Sequence, residues 1–566
     1  MTGKKIADPL KQAGETACAT EPWPLDIPAG PLSPAALTPA VADIVSHAVA
    51  APEYLAETAE DALRQSLRVV EAGGKPTPEK EDHRFTDPAW AGPPFNFYAS
   101  NFLLIEEWLN KAILHTPGVS EHHAKLVAFA ARQWLDAFSP SNLAWTNPEV
   151  VRATLKENGA NFLHGFENWL EDLSSSLDPK AAPAFNEYVV GRDVAVTPGK
   201  VVLRNELIEL IQYAPLTPQT RPEPLLIVPA WIMKYYILDL SPHNSFIRYL
   251  VERGFTVFCI SWRNPGPELA QTSFDDYRRL GVMAALDAVS AITGAQKIHA
   301  LGYCIGGTLL AVAAAAMARD GDHRLASLCV LAAQTDFTEP GELKIFIDET
   351  QLDELDNLMA RQGYLDASQM ASAFSMLNAR DLIWSRMVKS YLLGEKAHGN
   401  DLMAWNADAT RMPCRMHSTY LRALFLHNDL AEGRFEAGGA KVNLGAITAP
   451  VLAVGTENDH VAPWRSVYKI HRFVSGDVTF LLASGGHNGG IVSEPGHRHR
   501  SYRLLQIGSG AKAPPPRDYY AKAVSREGSW WPAYAEWLDG HSGAFGPPPA
   551  MGAARADAPG TNVLER

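Results

Sequence analysis

A single cysteine lies in a glycine-rich stretch whose spacing suits covalent catalysis. Residues 302–307 are Gly-Tyr-Cys-Ile-Gly-Gly, so Cys304 has a glycine two positions away on each side. This spacing is typical of a nucleophile elbow, a sharp strand-to-helix turn, with Cys in the place where most such enzymes carry Ser. Glycine is needed because a Cβ atom at either position would collide with the strand or the helix. Free N–H groups at the start of the helix point at the sulfur and favour its thiolate form.

The residues on either side of this turn have the composition of a strand and a helix. Ile298, Ala300 and Leu301 predict a short buried strand, and the alanine-rich run 309–317 is a strong helix former. Two other interpretations stay open, because cysteine is among the most buried residue types and glycine-rich turns of this kind also bind phosphate. The catalytic interpretation therefore depends on an acid and a base elsewhere in the chain.

An aspartate and a histidine follow two later strands. Asp459 comes in the loop after the apolar strand 451–454, and His487 lies in the glycine-rich loop after the strand 478–483. Because the carboxyl ends of parallel strands lie at one edge of a sheet, both side chains are expected at the same edge as Cys304. The order nucleophile, acid, base along the chain is that of the α/β hydrolases.

Two neighbouring residues are alternatives for these roles. Asp336 follows the strand after the cysteine and is a rival acid, and His460 is a rival base. Asp459 and His460 are adjacent and cannot easily point at one partner, while Asp336 opens a long insertion. The pattern therefore favours Asp459 as the acid and His487 as the base.

Alternating strands and helices predict a doubly wound α/β sheet, whose ligands bind beyond the carboxyl ends of the strands. The apolar runs 224–229 and 255–262 are of the kind buried in a parallel sheet, with a crossover helix at 244–253. More than a hundred mainly helical residues separate the strand 327–333 from the strand 449–454. An insertion of this length at the catalytic edge is normally a lid, and a plain packing domain is the alternative.

Changes of composition along the chain predict its domain boundaries. Residues 1–39 and 541–566 are rich in Pro, Ala and Gly, which predicts a mobile leader and a flexible tail. Helical spacing with aromatic stripes predicts an N-terminal helical domain over 40–185, used as a packing or docking surface. The α/β-hydrolase catalytic domain is expected over 186–540, with the lid insertion at about 337–446.

Size and charge exclude several classes of protein. The 566 residues are 46% hydrophobic and 20% charged, which is ordinary for a globular protein. A net charge of -13 argues against non-specific binding of nucleic acid or anionic lipid. Five scattered cysteines without a CxxC pair fit a reducing compartment. We expect a cytoplasmic protein, because no signal peptide and no apolar segment of roughly 18 to 20 residues is found.

Six stretches of the chain form a specific combination. They are Phe-Thr-Asp-Pro-Ala-Trp (85–90), Tyr-Tyr-Ile-Leu-Asp-Leu (235–240), Ser-Trp-Arg-Asn-Pro (261–265), the elbow (302–307), Asp-His-Val-Ala-Pro-Trp (459–464) and Gly-Ser-Trp-Trp-Pro (528–532). Together they resemble the polyhydroxyalkanoate synthases over most of the chain, from about Asp82 to Trp537. The resemblance implies an α/β-hydrolase fold with a helical lid insertion and an N-terminal helical domain.

The resemblance also implies an activity. Members of this family are acyltransferases that polymerise 3-hydroxyacyl-CoA into polyhydroxyalkanoate and release CoA. The length and the elbow of this chain look like the type that works without a second subunit on short units, so 3-hydroxybutyryl-CoA is the expected substrate. The family's nucleophile, acid and base match Cys304, Asp459 and His487, and the acyl group is expected on Cys304 as a thioester.

The developing oxyanion needs N–H donors. The backbone N–H of Ile305 is the first, and the loop 228–233 is expected to supply a second. This loop departs from the family pattern, with Ala230 and Met233 where many members have Pro and Asn. The departure bears on substrate range and rate more than on the chemistry.

The resemblance implies partners as well. The partners expected are the CoA thioester, the growing polyester, a second copy in a homodimer, the surface of the polymer granule and granule-coating proteins. No cofactor is expected, because the CoA thioester is itself the substrate, and no metal is expected either. The net charge and the lack of a long apolar segment predict no nucleic acid and no membrane span. We expect a cytoplasmic, granule-associated enzyme.

A cluster of basic residues follows the histidine loop. His497 and His499 alternate with Arg498 and Arg500, and Arg503 is near. Two histidines without acidic or thiol companions make a poor metal site, so a solvated surface is expected. Contact with the phosphates of CoA is the alternative.

Two further functions fit part of the pattern. A Cys-nucleophile hydrolase or thioesterase has the same triad but releases free acid. A non-catalytic granule-binding or scaffolding protein explains the aromatic N-terminal segment but gives no reason for an intact triad.

Overall fold

The computed structural model describes residues 32–71, 73, 78, 82–177, 187–377, 379–396 and 399–566. Most of the predicted leader, residues 1–31, lies outside this described part. Helix α1, Pro34–Ala50, begins inside the stretch predicted as a leader. Its start has a local cause, because the Ser33 side chain accepts a hydrogen bond from the N–H of Ala36 and Pro34 occupies the first turn.

The N-terminal region is helical, as the periodicity predicts. Its buried aromatic cluster contains Phe85, Trp90 and Phe102. Beside the cluster the Arg84 guanidinium binds three carboxylates, of Asp82, Glu106 and Asp136, each at 2.7 Å. After α1 the helices are α2 Pro52–Glu71, α3 Phe95–Leu114, α4 Glu121–Ala137, α5 Pro148–Glu157 and α6 Ala160–Leu177.

One large sheet of eleven strands forms the centre of the molecule. Apolar strands at its centre are buried along their whole length, because helices cover both faces. Its strands are β1 Gly199–Arg204, β2 Ile208–Tyr213, β3 Leu225–Val228, β4 Val257–Trp262, β5 Ile298–Tyr303, β6 Leu325–Leu331, β7 Val451–Thr456, β8 Val478–Ala483, β9 Ser501–Ile507, β10 Val524–Glu527 and β11 Ala556–Asp557.

The order of the strands is β10-β9-β8-β7-β6-β5-β3-β4-β2-β1-β11. The six neighbours from β8 to β4 are parallel, and antiparallel strands extend both edges. The carboxyl ends of β5, β6, β7 and β8 therefore lie side by side at one edge. Crossover helices include α7 Phe246–Glu252, α8 Ala284–Thr293 and α9 Ile305–Arg319.

The residues between β6 and β7 form the predicted helical insertion. Its regular helices are α10 Glu349–Gln362, α11 Ala367–Leu377, α12 Asp401–Ala407 and α13 Cys414–Tyr420. Three π-helical turns interrupt them, at Arg380–Trp384, Val388–Leu392 and Leu421–Leu426.

An ion pair joins this insertion to the N-terminal region. The Arg380 guanidinium binds Glu106 and, at 3.2 Å, Asp136, the same carboxylates that bind Arg84. Because most of these charges are buried, the cluster fixes where the insertion meets α3 and α4.

The C-terminal residues differ from the predicted flexible tail. Strand β11 pairs with β1, and Asn562 and Val563 are buried. The cause is Glu209, a buried carboxylate on β2 that needs donors, and the N–H groups of Thr561 and Asn562 supply them at 2.8 and 3.0 Å. Three short helices complete the fold, α14 Trp464–Tyr468, α15 Pro516–Lys522 and α16 Trp531–Asp539.

In the part of the chain that the structure describes, no single helix has both the length and the hydropathy needed to cross a membrane. Helices α1 and α2 pass that test only as a pair, and they are bent by 94° with respect to each other.

Candidate active site

Cys304 lies on the strained turn that the sequence predicts. It follows β5 directly, with φ 53° and ψ -130°, a conformation that side chains other than glycine rarely adopt. A Cβ atom on Gly302 would lie 2.4 Å from the Cα of Gly307, and one on Gly306 would lie 2.4 Å from the carbonyl oxygen of Val228. The glycines therefore allow the strand and the helix to approach closely at Cys304.

The surroundings of Cys304 differ from those of two other cysteines. Cys259 and Cys329 are buried in strands, and burial raises the pKa of their thiols well above the ordinary value. Cys304 is half-buried, and its N–H donates to the carbonyl of Leu331 at 2.9 Å. Ile305 begins α9, so its N–H has no carbonyl of a preceding turn to bind and is free to point into the site.

Asp459 is held by its own loop. Its Oδ1 accepts hydrogen bonds from the N–H groups of Val461 and Ala462, at 2.9 and 2.7 Å. Its Oδ2 accepts from the hydroxyl of Thr456 at 3.0 Å and lies 2.8 Å from Nδ1 of His487. The carboxylate is fully buried, so these contacts fix its direction toward the histidine ring.

His487 connects the carboxylate to the sulfur. Besides its hydrogen bond with Asp459, the ring interacts with the Cys304 side chain, which lines the same cavity. Burial opposes protonation of the ring, but the charge of Asp459 and the contact with Cys304 outweigh it, and the pKa of His487 is raised well above its usual value. The structure thus brings Cys304, His487 and Asp459 together in one continuous chain of contacts.

The two rival residues lie elsewhere. Asp336 accepts hydrogen bonds from the N–H and hydroxyl of Thr338, at 2.8 and 2.6 Å, and its Oδ1 is 3.7 Å from Nζ of Lys469. His460 is exposed, and its carbonyl accepts a hydrogen bond from the N–H of Glu342. Neither side chain has a hydrogen bond or an ion pair with His487 among the described residues.

A cavity of about 940 Å³ opens above these residues. The sheet edge contributes Cys304, Ile305 and His487 to its wall, and the insertion contributes most of the rest. The insertion contributes mainly aromatic and aliphatic side chains to the wall, and its charged side chains are exposed. The aromatic and aliphatic ones include Phe337, Met370, Phe374, Leu382, Tyr420 and Phe425, and the charged ones include Arg386, Lys389 and Lys396.

The loop after β3 also borders the cavity. Ala230 and Met233, the two departures from the family pattern, both line it. The insertion holds this loop in place, because the Thr410 hydroxyl donates to the carbonyl of Trp231 at 2.5 Å and Met233 forms a β-bridge with Ala409. The position suits the expected second oxyanion donor.

The basic cluster 497–503 is not part of this wall. His497 contacts Glu494 at 3.0 Å, and Arg500 packs near Gly485 of the histidine loop. Among the described residues no group of three or more His, Cys, Asp or Glu side chains is arranged to hold a metal ion.

Two residues of the site were not predicted from the sequence. Thr456 supports Asp459, and a polar side chain at the end of the strand three residues before the acid was a usable signal. Tyr420 lines the cavity from the end of α13, where the sequence carries no motif and the helix continues into an irregular π-helical turn.

Comparisons with known proteins cover most of the chain. The family described as Poly-beta-hydroxybutyrate polymerase (PhaC) N-terminus matches residues 81–250, and the alpha/beta hydrolase fold matches residues 223–493. The second match confirms the predicted fold class.

Three curated relatives illustrate the similarity. A poly(3-hydroxyalkanoate) polymerase of Methylorubrum extorquens is 41% identical over 494 residues, 86% of this chain and 81% of its own. A poly(3-hydroxyalkanoate) polymerase subunit PhaC of Rhizobium etli is 37% identical over 505 residues, 87% and 79% of the two chains. The corresponding subunit of Cupriavidus necator is 36% identical over 503 residues, 86% and 83% of the two chains. The similarity extends through both the N-terminal region and the sheet.

Proposed function

The chain belongs to the poly(3-hydroxyalkanoate) polymerase family and is an acyltransferase that polymerises hydroxyalkanoate units into polyester, and from this premise we propose that each unit passes through a thioester on Cys304. The donor we propose is 3-hydroxybutyryl-CoA. The observation that carries the mechanism is the chain of contacts from Asp459 through His487 to Cys304 at the wall of the cavity.

Acylation of the cysteine is the first step. An unperturbed thiol has a pKa near 8.5, so only a few per cent is thiolate at neutral pH without help. His487, oriented by Asp459, takes the proton of Cys304. The sulfur then attacks the thioester carbon, the bond to the CoA sulfur breaks, and CoA leaves with the proton that His487 returns. The N–H of Ile305 and one from the loop 228–233 stabilise the oxyanion.

Cysteine suits this task better than serine. Transfer from CoA to Cys304 exchanges one thioester for another, a nearly balanced reaction. An ester on serine would lie lower in free energy and leave less driving force for the next transfer. Elongation then uses that energy: His487 takes the proton of a 3-hydroxyl, whose oxygen attacks the acyl group on Cys304 and forms an ester. The scheme uses no cofactor.

Exclusion of water is required, because water at the same position would hydrolyse the thioester. The apolar wall that the insertion builds supports this role. Its aromatic side chains Phe337, Tyr420 and Phe425 pack within 4.8 to 6.5 Å of one another, centroid to centroid, in the cluster that contacts Cys304. Such a rigid wall favours short acyl groups, which supports the four-carbon donor.

For the location and partners of the enzyme, we propose a cytoplasmic homodimer that works at the surface of the polymer granule with granule-coating proteins. Support comes from the insolubility of the product and from exposed aromatic side chains in the N-terminal region, where Trp134, Phe138 and Trp145 are 65 to 73% exposed. Co-sedimentation of the enzyme with purified polyester granules tests this part.

Trapping the acyl-enzyme tests the mechanism. Wild-type enzyme mixed with 3-hydroxybutyryl-CoA and quenched in acid should gain the mass of hydroxybutyryl units on the peptide that contains Cys304. The Cys304→Ala variant should release no CoA and make no polymer, and Cys259→Ala serves as the matched control. Polymer formation by Cys304→Ala at the wild-type rate, or soluble acid as the main wild-type product, would refute the proposal.

A further inference from the structure

Several polar side chains in the wall of the cavity are already engaged within the protein. The Tyr303 hydroxyl donates to the amide oxygen of Asn488 at 2.6 Å. The Thr308 hydroxyl donates to the carbonyl of Gln334 at 2.8 Å, and the amide oxygen of Gln334 accepts from Ser466 at 3.0 Å. Side chains bound in this way have little capacity left for a substrate.

Tyr420 differs from these. It lines the same cavity as Cys304, and no hydrogen bond from its hydroxyl to another described residue is found. Its ring is nevertheless buried and fixed, with Phe425 at 5.4 Å and Phe337 at 6.5 Å between ring centroids. A rigid, unpaired hydroxyl at the wall of a cavity is available to form a hydrogen bond with a bound ligand.

The phenol keeps its proton. Burial and then the charge of the nearby Cys304 sulfur raise the pKa of Tyr420 well above its ordinary value. Both side chains line the one cavity, so the hydroxyl lies in the chamber that contains the sulfur. At neutral pH Tyr420 therefore presents an O–H donor to whatever group is attached to the sulfur.

The acyl unit has one polar atom that the sheet edge leaves without a partner. The thioester oxygen faces the N–H donors of Ile305 and the loop 228–233, and the leaving sulfur receives its proton from His487. The 3-hydroxyl lies two carbons beyond the carbonyl, on the part of the unit that extends under the insertion. Burying a hydroxyl without a hydrogen bond is costly, so a partner is expected there.

We propose that the Tyr420 hydroxyl donates a hydrogen bond to the 3-hydroxyl oxygen of the acyl unit at Cys304 and makes the site selective for 3-hydroxyacyl groups over unsubstituted ones. This inference rests on the proposed Cys304 mechanism. A site that binds a substrate hydroxyl discriminates strongly against the analogue that lacks it, because the protein donor is then left unpaired.

The test crosses two enzymes with two substrates. Single-turnover acylation of Cys304 is measured by intact-protein mass and CoA release for wild type and Tyr420→Phe, each with 3-hydroxybutyryl-CoA and with butyryl-CoA. Tyr420→Phe should slow acylation by 3-hydroxybutyryl-CoA about ten- to a hundredfold and leave the butyryl-CoA rate within about twofold. The ratio of the acylation rate with 3-hydroxybutyryl-CoA to that with butyryl-CoA should therefore be lower in Tyr420→Phe than in the wild type by about the same factor.

The control removes a buried tyrosine hydroxyl outside the cavity. Tyr519 donates to the carbonyl of Arg503 at 3.0 Å, and Tyr519→Phe should leave both acylation rates and their ratio unchanged. Equal slowing of both substrates by Tyr420→Phe, or no slowing of either, would overturn the proposal. Absence of any acyl group on wild-type Cys304 would instead overturn the mechanism on which it rests, and the two failures are therefore distinguishable.

Discussion

The edge of the sheet and the insertion above it hold their functional side chains in different ways. At the sheet edge, backbone geometry does the positioning: Cys304 lies at φ 53°, and two N–H groups fix the Asp459 carboxylate. In the insertion, side chains position one another, as in the aromatic packing around Tyr420. Backbone geometry tolerates little change, whereas a packed wall can be remodelled. The comparison indicates that the chemistry of the site and its selectivity have separate structural sources.

His487→Gln removes the proposed general base and should give the largest loss of activity. We expect polymerisation to fall about 10³- to 10⁴-fold, because the thiol loses its base and CoA its proton donor. Steady-state release of CoA measures the effect. The exposed rival base His460 provides the control. The rate of CoA release by His460→Gln should stay within about twofold of the wild-type rate. A larger loss for His460→Gln would reverse the assignment of the base.

Asp459→Asn tests whether the buried carboxylate works through the histidine. Its charge raises the pKa of His487, so the variant should lower that pKa and reduce kcat about 10²- to 10⁴-fold. Titration of ¹³C-labelled histidine by NMR measures the first effect, and polymer yield measures the second. Asp336→Asn is the matched control. It should leave the pKa of His487 unchanged and keep kcat within about threefold of the wild-type value. An unchanged His487 pKa in Asp459→Asn would contradict the model of a coupled pair.

Phe337→Ala should alter selectivity while the chemistry persists. Opening the aromatic wall makes room for longer side chains, so kcat/KM for 3-hydroxyoctanoyl-CoA relative to 3-hydroxybutyryl-CoA should rise about tenfold. Phe473→Ala, at a half-buried phenylalanine outside the cavity, should leave this ratio unchanged. If Phe337→Ala abolished turnover of both substrates in a folded protein, chemistry and selectivity would not be separable.

Thr456→Val removes one hydrogen bond behind the carboxylate. A hydrogen bond to a charged carboxylate contributes about 1.5 kcal/mol or more, so we expect a loss of about tenfold in kcat with KM unchanged. Thr479→Val, at a buried threonine of the neighbouring strand, controls for the loss of the hydroxyl itself. A shift of KM alone would show that Thr456 acts on binding and not on Asp459.

The pH dependence of stability gives the smallest effect. The pKa of His487 is raised in the folded state, so its protonation adds stability that is complete below the unfolded pKa of about 6.5 and is lost as pH rises through the folded pKa. His487→Gln should therefore lower the melting temperature by about 2–4 °C at pH 6 and by less at each higher pH. A difference in melting temperature between the wild type and His487→Gln that increases with pH would contradict a raised pKa of His487.

Motifs at strand ends carried the most information in the sequence. Cys304, Asp459 and His487 each lie within four residues of the end of a strand, so their common edge followed from topology. Their catalytic roles stay predictions. The packing of 541–566 was not predictable from its Gly, Pro and Ala content, because it depends on Glu209, a distant residue in sequence that requires buried donors. Tyr420 was hidden for a similar reason, since its position depends on contacts across the irregular insertion.

The size of the cavity has a consequence for the product. A chamber of about 940 Å³ is far too small to hold a polymer. All of the polyester except its newest end must therefore lie outside the protein. The walls of the cavity consequently make no contact that depends on the total length of the polyester. The length distribution of the polyester is then set by the rate of unit addition relative to the rate of chain release. This distribution should be broad, and it should change with substrate supply.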